Sequence, residues 1–178
     1  KMFKSGKGMI WGEHHHDLFE GSALFYKPNY VGNLVSSWIP SLEGVEEKLQ
    51  QGAKVADIGC GYGISTILMA KAYPNSKFYG FDNHRPSIEK AKDQIRKEEE
   101  TGVGSISNVE FVSVNANDES IGNDYDLITF FDCLHDMGDP LGAMKFARQS
   151  LKAGGTCMIV EPMANDKLEE NLNLVGRA

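Results

Sequence analysis

Short apolar runs alternate with amphipathic stretches along the chain once the first 50 residues are passed. The runs "KVADI", "KFYGF", "VEFVSV", "YDLITFF" and "TCMIVE" are rich in β-branched and aromatic residues and mostly bounded by Gly, Asn or Asp, which predicts five strands. Between them Ile64, Ile67, Leu68 and Ala72 fall on one face at helical spacing, as do Ile88, Ala91 and Ile95, and then Leu141, Met144 and Leu151. Repetition of strand and helix implies parallel strands joined by helical crossovers. The predicted fold is therefore α/β, a mostly parallel doubly wound sheet with its ligand crevice at the carboxyl ends of the strands. Residues 1–50 lack strand alternation and contain "EHHHDLFEGSALFYKPNY" and "LVSSWI". They are expected to form a helical cap over that edge, with residues 51–178 as the core.

Composition narrows the function. A chain of 178 residues, 41% hydrophobic and 24% charged, can bury one substantial core. Its net charge of −7 opposes a nucleic-acid partner, because counterion release rewards a concentrated basic face and the basic pair in "RKEEE" is neutralised at once. A small-molecule partner is expected instead. No apolar run approaches the roughly 20 residues that span a bilayer, and no leader pattern opens the chain, so no membrane partner and a cytoplasmic location are expected. Cys60, Cys133 and Cys157 are odd in number and show no CxxC spacing, which fits reduced thiols better than a disulfide or zinc framework.

The turn "DIGCGYG" places Gly59, Gly61 and Gly63 within five positions beside Asp57, between a strand and the helical stretch "ISTILMAKAY". Glycine lets a ligand approach the backbone without a Cβ in the way, and the helix start offers unpaired amide donors. Alone, such a turn serves equally as a tight connection with no ligand. The spacing is GxGxG rather than GxGxxG, which disfavours a nicotinamide cofactor. About 20 residues further on, Asp82 ends the second run, where an acid accepts hydrogen bonds from ribose hydroxyls. Its competing role is to cap the helix that opens near Pro86.

With these features in place, "VADIGCGYG", "GFDN", "YDLITFFDCLHDMGDP" and "LKAGGTCMIVEP" resemble, in order, the motifs of class I S-adenosylmethionine-dependent methyltransferases over roughly residues 50 to 163. More narrowly, "EHHHDLF", "FFDCLHDMGDP" and "VEPMANDKLEENLNLVGRA" resemble bacterial small-molecule-type methyltransferases that carry a winged-helix-like segment upstream. That segment is expected to precede Lys1. The resemblance implies a Rossmann-like fold, S-adenosyl-L-methionine as cofactor and a small-molecule methyl acceptor. It further implies that Asp57, Gly59, Gly61 and Gly63 surround the methionine part, with Asp57 helping to hold its amino group. Asp82 takes the ribose hydroxyls and Asn83 lies against the adenine. Asn115 and Ala116 stand where the family commonly has an acid next to a small residue at the adenine edge, with Asp118 a nearby alternative. Phe131 and Asp132 border the reacting methyl and the cofactor amino group. A complete core of this kind resembles a seven-stranded sheet, and only five strands are counted here. The last two are expected beyond the chain, and an uncovered fifth strand would favour association, as in a homodimer.

For chemistry, "DCLHDMGDP" is the informative stretch. Methyl transfer from a sulfonium is an in-line displacement, and a hydroxyl acceptor must also lose a proton. His135, with an ordinary pKa near 6.5, suits that task, and Glu161 at the end of the next strand could orient the ring and stabilise its charged form. The pair resembles the His and Glu of small-molecule O-methyltransferases with an "LHD" after the fourth strand. Packing under the cofactor, or capping the helix near Pro140, is the structural role open to His135. His14, His15 and His16 point in different directions on a helix or strand, so they read as a substrate-side lid or polar cluster rather than a metal site. Phe25, Tyr26, Tyr30 and Trp38 read first as packing groups, some of which a cap would turn toward the pocket. An S-adenosylmethionine-binding sensor or scaffold, and more distantly an NAD-linked oxidoreductase, are the other functions compatible with these motifs.

Overall fold

The computed structural model describes residues 2–100 and 106–174. Strand β1 (Lys54–Ile58) is buried from Val55 onward, which is why its sequence runs apolar on both faces instead of alternating. It is followed by β2 (Lys77–Asp82), β3 (Val109–Ser113), β4 (Tyr125–Phe131) and β5 (Leu151–Val160). The spatial order is β3-β2-β1-β4-β5, and every neighbouring pair is parallel. The expected α/β class and parallel sheet are thus present.

Helices α1 (Met2–Ser5), α2 (His16–Asn33) and α3 (Val45–Gln51) precede the sheet, as the unlike composition of residues 1–50 predicts. The inner face of this segment is not separate from the core. Leu34, Ile39, Val45 and Leu49 pack in the same buried cluster as Val55, Phe78, Leu127 and Met158. Helices α4 (Ile64–Ala72) and α5 (Arg85–Glu100) contribute Ile67, Met69, Ile88 and Ala91 to that cluster. Helix α6 (Pro140–Ser150) closes a second cluster, where Ala143 and Ala147 meet Ile58, Ile128 and Phe130.

The expected face of α6 needs correction. Leu141 is 64% exposed, and Leu151 opens β5 instead of closing the helix. Asp139 caps the helix by accepting from Gly142 N at 2.8 Å, and Pro140 stands at its start. The inward positions are then Ala143, Ala147 and Ser150, at helical spacing. β5 begins early because an irregularity between Tyr125 and Leu127 absorbs "KAGG", with Gly154 at φ +75°. β5 forms one edge of the sheet, where Ile159 is 46% exposed. Beyond it Leu168–Asn171 makes a 3₁₀ turn, and residues 175–178 lie outside the described residues.

Candidate active site

The strand order reverses direction at β1, where β2 lies to one side and β4 to the other, and ligands in open α/β sheets bind outside the carboxyl ends at such a point. A cavity of about 570 Å³ lies there, within the size range of small-molecule sites. Its wall includes Gly59, Gly61, Asp82, Asn83, Asn115, Ala116, Phe131, Asp132 and His135, nine of the residues singled out from sequence. Asp57, Gly63 and Glu161 are not on the wall but directly behind it.

Two of the three glycines divide the work. At Gly61 (φ +53°) an added Cβ would meet nothing within 4 Å, so this turn offers open backbone to the cavity. At Gly63 (φ +73°) a Cβ would fall 2.4 Å from the ring of Phe111, so its smallness serves packing of the turn on β3. Asp57 also works from behind. Its buried carboxylate accepts from Ser65 and Thr66 hydroxyls at 2.7 and 2.6 Å on one oxygen and from Thr129 at 2.9 Å on the other. Burial raises its pKa while these three bonds oppose the rise. The acid thus pins the start of α4 to β1 and β4, which sets the attitude of the glycine turn.

Asp82 does face the cavity. Gly61 N donates to one of its oxygens at 2.9 Å and His84 N to the other at 2.8 Å. Burial raises its pKa, and the two amides oppose the rise. Each oxygen keeps a lone pair for a ligand, so the carboxylate is aimed and still available. Asp118, by contrast, accepts from Ser120 N at 2.8 Å on an exposed turn and is absent from the wall.

The fourth strand ends in a second cluster. Asp132 sits at φ +52°, a left-handed conformation uncommon for a residue with a Cβ, and accepts from the Tyr30 hydroxyl at 2.9 Å. Glu161 accepts from Cys133 N at 3.1 Å and Leu134 N at 2.7 Å with one oxygen, and its other oxygen meets His135 Nδ1. The expected His135 and Glu161 pair is brought together. Partial burial opposes a charge on His135, but the hydrogen bond and charge of Glu161, with Asp136 and Asp132, outweigh it and raise the pKa above the ordinary 6.5. Helix capping near Pro140 falls to Asp139, not to this histidine.

The cap supplies the opposite wall. Phe19, Ser22, Ala23, Tyr26 and Tyr30 line the cavity from α2, and Phe19 stacks on His84 with ring centroids 4.1 Å apart. These positions recur at helical spacing, a signal that single-residue reading of the aromatics passes over. Phe25, off that face, is 69% exposed, and Trp38, partly buried, packs against the core. The histidine run does not reach the wall. His15 caps α2 by accepting from Asp17 N at 3.4 Å, and His15, His16 and Asp17 form an exposed group. All three cysteines are free, and no helix among the described residues is long and apolar enough to cross a membrane.

An open parallel sheet with this order, a glycine turn leading from β1 into α4 and an acid ending β2 define a class I S-adenosylmethionine-dependent methyltransferase fold. Comparison with known proteins agrees: residues 49–177 match the model of the methyltransferase domain family, and the chain belongs to that family. A curated relative, malonyl-[acyl-carrier protein] O-methyltransferase of Acetivibrio thermocellus, is 29% identical over 104 residues, covering 57% of this chain and 32% of its own. The chain spans about a third of the length of such relatives, 37% of one and 32% of another. Among solved structures, PKMT2 of Rickettsia typhi in complex with AdoHcy is similar at 25% identity and TM-score 0.54, over 62% of this chain and 21% of that one. An O-methyltransferase family protein of Burkholderia thailandensis shares the fold at 20% identity and TM-score 0.62, over 84% and 41%.

Proposed function

We propose that the cavity binds S-adenosyl-L-methionine and catalyses methyl transfer to a small-molecule acceptor. The observation that carries this reading is the pairing, across one cavity, of a cradle for a nucleoside with a base and its orienting acid. The residues fit the cofactor. Asp82 has free lone pairs aimed into the cavity for a ribose diol, and the open backbone at Gly61 admits a ligand where a side chain would intrude. Asn83, Asn115 and Ala116 line the wall where an adenine would lie, and Phe131 and Asp132 the wall near a reacting methyl. Asp57 acts through the hydroxyls that hold the turn. When bound, S-adenosylmethionine supplies an electrophilic methyl on a sulfonium.

This chain's own part is orientation and proton transfer. His135 accepts the proton that a hydroxyl acceptor sheds as its oxygen attacks, and Glu161 fixes the ring and stabilises the imidazolium. The backbone amides of Cys133 and Leu134 hold Glu161 in place, so the base is preset rather than recruited. Residues 1–50 act as the substrate-side cap, with residues 51–178 as the cofactor-binding core. Transfer of radiolabelled methyl from S-adenosylmethionine to the small-molecule fraction of a cell extract tests the reading. Label in a low-molecular-weight product is expected. Tight cofactor binding with no transfer to any fraction would favour a sensor or scaffold instead.

A further inference from the structure

Charge is distributed unevenly around this cavity. Its wall carries Asp82, Asp132, Asp136 and Asp139, and among the described residues it carries neither lysine nor arginine. Three of these acids already have work: Asp82 holds the glycine turn, Asp139 caps α6, and Asp132 accepts from Tyr30 and, in the reading above, borders the cofactor amino group. Asp132, Asp136 and Glu161 are gathered round one imidazole, and of the three Asp136 has the fewest partners. Glu161 and Asp136 approach its two ring nitrogens, and Asp132 lies close enough for their charges to interact. Three carboxylates against one imidazolium leave two negative charges even when His135 is protonated, and the cofactor amino group beside Asp132 would meet one of them. Their field reaches the cap, because all three raise the pKa of the Tyr26 phenol in addition to the effect of its burial.

The opposite wall is aromatic: Tyr30 bonds Asp132 and Tyr26 feels the acids' charge, while Trp11 and Phe19 line the cavity nearer His84. Ring faces attract cations and carboxylates pair with them, whereas an anion beside Asp136 would be taken out of water with no lysine or arginine on the wall to meet it. Tyr26 offers apolar area there without a competing positive charge. The side chain of Asp136 is 48% exposed, and among the described residues no backbone amide donates to it, so it is the acid freest to take a ligand.

Resting on the methyltransferase reading above, we propose that the acceptor is an amine-bearing small molecule whose ammonium group is held by Asp136, with its apolar body against the cap rings Tyr26 and Tyr30. Asp136 is then a specificity residue: it selects for a cationic group and against carboxylates and phosphates of the same shape. The methylated atom is a separate matter from this anchor. A hydroxyl elsewhere on such a molecule can present its proton to His135 while the ammonium stays on Asp136.

The test uses three probes that share a phenol ring and differ in the charge of the side chain: tyramine, the neutral alcohol tyrosol, and 3-(4-hydroxyphenyl)propionate. S-Adenosylhomocysteine is first titrated calorimetrically, and the loaded protein is then titrated with each probe. Tyramine is expected to bind at least about tenfold more tightly than the carboxylate, with tyrosol between them. Asp136→Asn should narrow the tyramine preference severalfold, while Asp17→Asn, which alters an exposed acid outside the cavity, should leave it unchanged. Equal or tighter binding of the carboxylate, a preference untouched by Asp136→Asn, or no binding of tyramine would overturn the proposal while leaving the cofactor reading in place. Failure to bind S-adenosylhomocysteine would overturn both, and it is read in the first titration.

Discussion

Gly59, Gly61 and Asp82 wall one side of the cavity with backbone and a doubly anchored carboxylate, whereas Trp11, Phe19, Tyr26 and Tyr30 wall the other with rings carried by the cap. The first side is made by residues close together in sequence, on two adjacent strands whose register brings Ile58 opposite Phe81. The second is joined to the sheet by contacts across long sequence separations, the bond from Tyr30 to Asp132 and the stack of Phe19 on His84. A short local motif can fix a feature shared by a whole family, such as a nucleoside cradle. Discrimination between acceptors is better placed on residues outside that motif, on the turn after β4 that carries Asp136 and on the cavity-facing positions of the cap.

The sharpest way to separate the two sides is to remove the base. His135→Ala should slow methyl transfer by roughly 10²–10⁴-fold, the contribution of a positioned general base, while affinity for S-adenosylhomocysteine stays close to that of the unaltered protein. Steady-state assay with an identified hydroxyl acceptor, beside calorimetry, checks both halves of the statement. Undiminished turnover would make the histidine structural.

On the backbone side, Gly63→Ala should destabilise the fold by about 1–3 kcal/mol, because its Cβ would overlap the buried Phe111 ring at a positive φ. Gly61→Ala, facing open space, should cost nearer 1 kcal/mol, from the left-handed backbone alone. Thermal unfolding of the two variants gives the order. If Gly61→Ala were the less stable, the division between a packing glycine and a ligand-facing one would be wrong.

The cap contact is expected to be weaker. Tyr30→Phe removes one hydrogen bond to a half-buried carboxylate and should lower stability by about 1 kcal/mol. Denaturant midpoints measure it. No change would mean that packing alone seats α2.

The smallest effect expected is one of position on the pH axis. A base must be neutral to act, so the rate should fall as pH drops through the His135 pKa, which lies above 6.5. Glu161→Gln removes the partner that raises that pKa most, so the acid limb of the pH–rate profile should move to lower pH. A limb that stays in place would detach Glu161 from the base.

How much of this was legible in the sequence follows the same division. The four strands β1 to β4 and the turn between β1 and α4 could be read because buried parallel strands and glycine-bearing turns are local patterns. His135 and Glu161 could be paired because both follow strand ends that lie side by side. Asp57 was legible as an acid beside the glycines, but its three hydroxyl partners come from α4 and β4 and were not. The Tyr30 contact spans 102 residues, and no local signal marks it. Leu151 looked helical because a bulge at "KAGG" extends β5 beyond the run that marked it.

The central claim is that this cavity is built for an adenosyl cofactor held through Asp82. Calorimetric titration of S-adenosylhomocysteine into the protein and into Asp82→Ala tests it most directly. The account predicts saturable binding that the substitution weakens by roughly 1.5–3 kcal/mol, the loss expected for hydrogen bonds to a charged group, with NAD showing no comparable affinity. A folded protein that binds no S-adenosylhomocysteine, or a folded Asp82→Ala that binds it equally well, would contradict it.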